Sequence, residues 1–178
     1  MEEVVVTGMG CVSALGNTPE ILWENLLAGK SGVTTITHFD TSAYEVHFAA
    51  EVKEFDASPY FNDRDQKRYS RNIQYAVSAA SDAVKNSGLN VDSLDKSRAG
   101  VILASGMGGM DVYYDTSATL SNKGPRRVSP FFIPMAITNM AAGEVSIRFG
   151  FMGPNFTTTS ACASSNHALI AAADQIRL

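Results

Sequence analysis

Cys162, in the closing stretch TTTSACASSNHALIAAADQIRL (157–178), is the residue whose chemistry is most readily named. A β-branched run, FTTTS, leads into it and a long run of small residues follows, so the thiol stands where a strand gives way to a helix. The unpaired N–H groups of a helix's first turn carry partial positive charge, which favours a thiolate over a thiol. A strand-turn-helix elbow also pushes a side chain out beyond the sheet, a good place for a nucleophile. The competing reading is a structural cysteine, since free cysteines are among the most buried residues. Behind Cys162, Ala163, Ser164, Ala168, Ala171 and Ala172 put small residues on every face, where a surface helix would carry charge on one side. They predict a helix enclosed between other elements with the thiol at its tip.

A cysteine nucleophile needs a base or a cation nearby. His167 is five residues on, so helical geometry turns it about 140° away from Cys162 and reads as a structural polar group. His38 and His47 fall in an irregular segment and carry no motif. The residues thus name no partner for the thiol. Cys11 and Cys162 are the only cysteines and lie far apart, which does not describe a disulfide framework.

Several elements must position this site. EVVVTGMG (3–10) reads as a buried strand ending in a tight turn. NTPEILWENLLAG carries helix signals: Thr18 to cap, Pro19 at the first position, Glu20 in the first turn and Gly29 past the end, with Ile21, Leu22, Trp23 and Leu26 as the apolar side. HFAAEVKEF offers a short strand. A long helix is predicted over 63–86, buried along Tyr69, Ile73, Val77, Ala80 and Val84 and stopped by Gly88. RAGVILAS (98–105) is a second strand running into GMGGM, residues 135–150 look helical, and FTTTS is a third strand. Strands alternating with helices predict an α/β layered domain.

The 178 residues, 45% hydrophobic and 18% charged, suffice for one domain with a real core. No run approaches the ~20 apolar residues of a membrane span. The opening MEEVVVTGMG lacks a basic, then apolar, leader, so the cytoplasm is the expected compartment. A net charge of −4 argues against nucleic acid as a partner. Two basic clusters stand out against it. Arg64, Lys67, Arg68 and Arg71 share one face of the predicted helix, and Lys123, Arg126 and Arg127 flank a turn. Each could equally be a solvated surface.

Three stretches resemble one family. GPNFTTTSACASSNHALIAAADQIR resembles the active-site region of β-ketoacyl-[acyl-carrier-protein] synthases of the elongating branch; VVVTGMGCVSALGNT resembles their first strand and turn, and GPRRVSPFFIPMAITNM a stretch specific to that branch. The likeness runs in register from Glu3 to Leu178. It implies a thiolase-like fold, αβαβα in the full enzyme, of which residues 1–178 are the first of two similar halves. Residues 31–97 then form an insertion-like segment with the long helix. It further implies that Cys162 accepts an acyl group from acyl carrier protein and that malonyl-loaded carrier is decarboxylated to attack the thioester. The Cys162 backbone N–H would be one oxyanion donor. By the same resemblance Met107 and Phe132 belong to the acyl pocket, and Arg64, Lys67, Arg68, Arg126 and Arg127 dock the acidic carrier. Strand 156–160 would join a homodimer. No cofactor and no metal are implied, and the histidines that assist decarboxylation belong to the family's second half. Alone, residues 1–178 are therefore expected to be inactive and poorly stable.

Rival readings fare less well. A nucleotide-binding turn would need glycine where Ser13 stands in GMGCVS, and no acidic residue closes a following strand at the required distance. A non-catalytic pairing subunit typically lacks the nucleophile that Cys162 supplies. A polyketide-type ketosynthase remains an alternative. An autonomous cysteine hydrolase would need a histidine–thiol pair that cannot be placed here.

Overall fold

The computed structural model describes residues 3–178. Helix α1 (Pro19–Leu27) forms as its signals dictate: Thr18 is extended, its side chain accepts from the Ile21 N–H, and Gly29 follows at φ +64°. Its expected apolar side is not buried, however; Trp23 is 62% exposed. Strands β1 (Thr34–Thr35) and β2 (Phe48–Ala49) pair antiparallel. Next come α2 (Asp63–Arg68) and α3 (Arg71–Asn86), then β3 (Val101–Ala104) and α4 (Met110–Lys123). Helices α5 (Phe132–Ala136) and α6 (Met140–Phe149) lead to β4 (Asn155–Thr158) and to α7 (Ser164–Arg177). Strands β3 and β4 run parallel, from Val101 opposite Asn155 to Ala104 opposite Thr158.

The α/β character read from the sequence is thus present. Helices α6 and α7 each pack on both parallel strands, and α3 packs on α6. Between them lies the core, with Ile73 and Val77 of α3 fully buried beside Val101, Met135, Ala142 and Val145. Full burial of such side chains stabilises by about 1.5–3 kcal/mol each. Among the described residues no helix is long and apolar enough to cross a membrane.

Four expectations need correction. Residues 3–10 form no strand, and Val5 and Val6 are 65% and 79% exposed. A strand exists only with a ladder neighbour, and none pairs with this run among the described residues. Instead the Met9 N–H donates to Asn86 Oδ1 (3.1 Å), and Gly8 and Gly10 press so closely on α3 that a side chain on either would strike the Ala83 or Ala79 carbonyl.

The helix over 63–86 is broken at Tyr69 and Ser70. Ser70 is extended and its hydroxyl accepts from the Ile73 N–H, which ends one helix and caps the next. Arg64, Lys67 and Arg68 therefore lie on α2 while Arg71 opens α3, and the four do not share one helical face. Residues 135–150 likewise divide, with α5 ending at Ala136 and α6 starting at Met140. Finally, α7 is not enclosed: Ser164 and Ala168 are buried, but Leu169, Ile170 and Ile176 are more than half exposed.

Candidate active site

The parallel pairing of β3 and β4 sends both strands out at the same end, the usual position for a site in an α/β sheet. From β3 the chain enters the loop 105–109, which holds Met107. From β4 it enters Thr159–Ser160 and a 3-10 turn, Ala161–Ala163, whose middle residue is Cys162. The two loops are joined directly: the Thr159 hydroxyl donates to the Ser105 carbonyl at 3.0 Å, and the Ser105 N–H donates to the Thr158 carbonyl at 3.3 Å.

Cys162 thus stands at the strand-to-helix elbow expected of it, and it is exposed rather than a buried core thiol. The elbow has an unusual backbone. Ala161 adopts φ +47°, a left-handed conformation that costs a residue with a Cβ roughly 1–2 kcal/mol. Ser164 holds the chain in that shape. Its hydroxyl, almost fully buried, accepts from the Ser160 N–H and donates to the Ala161 carbonyl, both at 2.7 Å. The Thr158 hydroxyl donates to the Ser164 carbonyl at 2.8 Å. The Cys162 N–H has no acceptor among the described residues, so it remains available to a ligand oxygen.

Sequence reasoning missed this hydroxyl web. Its signal was present, since Ser and Thr clustered between a strand and a helix commonly bond the backbone of the intervening turn. His167, read as a structural polar group, has its Nδ1 2.9 Å from the Ser160 hydroxyl and makes no bond to Cys162. No group of three or more His, Cys, Asp or Glu side chains suited to a metal ion converges among the described residues.

The other sequence candidates lie on the β3–α4 loop, on α5, on α2 and on the turn before α5. Met107 is 62% exposed on the β3–α4 loop. That loop is pinned to the end of α5, because the Gly109 N–H donates to the Ala136 carbonyl at 3.0 Å. Gly108, at φ +72°, lies so near this carbonyl that a Cβ would collide with it. At the other end of α5, Phe132 is half-buried edge-on against Tyr113, with centroids 5.4 Å apart. Arg64 and Lys67 are exposed on α2, and Arg126 and Arg127 are exposed on the 3-10 turn Pro125–Arg127.

Arg68 differs from the other cations. Its guanidinium lies 3.9 Å over the Phe131 ring, and its Nε is buried without a hydrogen-bond partner. Phe131 follows Arg127 by four residues, so this contact links α2 to the segment that carries the second basic cluster. Next to Arg68, Tyr69 donates its hydroxyl to Glu144 Oε2 at 2.9 Å. Burial, reinforced by that bond and by the Glu144 charge, pushes the Tyr69 hydroxyl up to about 12, so it stays a neutral donor tying α2 to α6.

Comparison with known proteins bears on the family and the fold. The family model described as β-ketoacyl synthase, N-terminal domain, matches residues 1–178. The chain is 44% identical over 168 residues to "3-oxoacyl-[acyl-carrier-protein] synthase 2" of Staphylococcus aureus (strain COL), covering 94% of this chain and 41% of that protein. It is also 44% identical over 164 residues to the protein of the same name from Vibrio cholerae, covering 92% and 40%. The chain therefore spans about two fifths of the length of these curated relatives. Among solved structures, a β-ketoacyl synthase from Burkholderia phymatum STM815 superposes with a TM-score of 0.84 at 27% identity, over 99% of this chain and 44% of that one. A type II PKS ketosynthase complex with its acyl-carrier protein gives the same TM-score at 22% identity, a likeness of fold alone, over 99% of this chain and 47% of that one. The fold is the thiolase-like half expected, and the chain belongs to the β-ketoacyl synthase family, matching its N-terminal domain.

Proposed function

We propose that Cys162 is the acyl-accepting nucleophile of a 3-oxoacyl-[acyl-carrier-protein] synthase. The observation that carries this reading is the elbow: an exposed thiol on a left-handed turn, held by Ser164 at the exit of two parallel strands. In the first step the Cys162 sulfur attacks the thioester carbonyl of an acyl group on its carrier. The carrier's thiol leaves with a proton, and a new thioester forms on the enzyme. The developing oxyanion is met by the free Cys162 N–H, a backbone donor already fixed in place. Decarboxylation of a malonyl thioester then releases carbon dioxide and yields a carbanion. Its attack forms the new carbon–carbon bond, expels the Cys162 sulfur and gives a 3-oxoacyl product. The family assigns decarboxylation and a second oxyanion donor to its other half, so this chain is proposed to supply the nucleophile and not the whole reaction.

Around it, Met107 and Phe132 bound the acyl pocket. Arg64, Lys67, Arg68, Arg126 and Arg127 receive the acidic carrier protein, steering its encounter more than adding affinity. The edge of β4 away from β3 carries no strand among the described residues, and it is proposed to join a second copy in a homodimer. A polyketide-type ketosynthase would share every one of these roles; the 44% identity to proteins named 3-oxoacyl-[acyl-carrier-protein] synthase 2 favours the first reading. The test is Cys162→Ala in the full-length protein. Condensation should vanish with folding intact while decarboxylation of the malonyl substrate survives. Near-normal 3-oxoacyl product from the variant would remove Cys162 from the mechanism.

A further inference from the structure

Arg68 sits where a docking cation would be expected, yet its surroundings are those of a packed side chain. Among the described residues it has no carboxylate partner within ion-pair distance. The guanidinium carbon Cζ lies over the Phe131 ring, 3.9 Å from its centroid, and 5.7 Å from that of Tyr69, and Nε is sealed from water with no acceptor. A partly desolvated cation without a counter-charge is compensated here by the negative faces of aromatic rings.

What Phe131 does gives the contact its consequence. Its carbonyl accepts from the Met135 N–H at 3.0 Å, and its own N–H donates to the Ser129 hydroxyl at 3.2 Å, so it sets the start of α5. Phe132 is the first residue of that helix. Ala136 at its end holds the loop of Met107 through Gly109, and that loop is bonded through Ser105 to Thr159, three residues before Cys162.

We propose that Arg68 is a positioning residue for the acyl pocket: by clamping Phe131 it fixes α5, and with it the placement of Phe132 and of the Met107 loop. This rests on the reading of Phe132 and Met107 as pocket residues, and it adds a role to any part Arg68 plays in docking. Lysine would keep the charge but not the planar face that stacks on a ring, so charge and stack can be separated.

The experiment uses the full-length protein and measures acylation of Cys162 by small acyl thioesters of short and of long chain, donors with no carrier protein to dock. Arg68→Lys is expected to lower kcat/KM for the long chain about twofold to fivefold, the equivalent of one exposed cation–π contact, and to leave the short chain unchanged. Phe131→Leu should do the same, Phe131→Tyr should behave as wild type, and the double variant Arg68→Lys/Phe131→Leu should be no worse than either single change. Arg68→Lys equal to wild type with both small donors, or additive losses in the double variant, would overturn the positioning role. The stack is read separately by NMR: the Arg68 Nε–H should be shifted upfield in wild type and Phe131→Tyr but not in Phe131→Leu, and an unshifted wild-type signal would remove the stack itself. If wild-type Cys162 takes no acyl group while the shifted signal is present, the functional reading has failed and the positioning role falls with it, but the contact stands.

Discussion

Replacing Ser164 by alanine would remove one oxygen atom and, with it, both hydrogen bonds that its side chain makes to the Cys162 turn. The Oγ accepts from the Ser160 N–H and donates to the Ala161 carbonyl, each at 2.7 Å, and the residue is 4% exposed. A buried hydrogen bond contributes a net of about 1 kcal/mol, so the pair accounts for roughly 2 kcal/mol. The Ala161 carbonyl keeps the Ser164 backbone N–H as a partner and is not orphaned. The Ser160 N–H is left without one, and an unsatisfied donor shut away from water costs a further ~1–3 kcal/mol. Water can reach the exposed Ser160, which keeps the expected loss near 2–3 kcal/mol. Urea unfolding of the full-length protein would read this as a lower midpoint at unchanged slope. Acylation of Cys162 should slow as well, because the left-handed Ala161 loses one of the two bonds its carbonyl accepts. A loss below about 0.5 kcal/mol would match an ordinary surface substitution and would refute the claim that Ser164 pins the turn.

Two further outcomes are expected. Tyr60 and Tyr69 are both pushed from the ordinary value near 10 up to about 12, burial first and then the bonds to Asp82 and Glu144. The folded protein keeps protons that the unfolded chain loses, so this contribution is complete below pH 10 and is lost as pH rises towards 12; denaturation midpoints measured from pH 9 to 11.5 should fall less steeply in Tyr69→Phe than in wild type. Reversing both Arg126 and Arg127 to glutamate should raise KM for carrier-borne substrate and spare the same acyl group on a small thioester, and equal losses on both would point to the pocket or the fold instead.

The features legible in the sequence are those decided within a few residues. Thr18, Pro19 and Gly29 delimit α1 because capping and turn chemistry are local. The Cys162 elbow was legible for the same reason, a β-branched run meeting a helix former. The VVV run was not, because a strand is a relation between two segments, and no described segment pairs with it. Nor was the break at Ser70: the apolar spacing continues through it, and Tyr69 and Ser70 turn out extended although periodicity alone predicts helix. The small residues of α7 promised an enclosed helix, yet Leu169 and Ile170 are exposed, because enclosure depends on neighbouring segments and not on α7 itself. At the site, the type of Arg68 pointed to charge while its neighbours Phe131 and Tyr69 make it part of the packing.

The most direct test of the nucleophile is to find the acyl group. Full-length protein is mixed with a long-chain acyl thioester in the absence of malonyl substrate, quenched in acid and digested, and the peptides are weighed. The peptide containing Cys162 should gain the mass of one acyl group. That adduct should be released by hydroxylamine, as a thioester is, and should be absent from Cys162→Ala. An unmodified Cys162 peptide, or an acyl group found on Cys11 or on a serine of the same turn, would contradict the assignment.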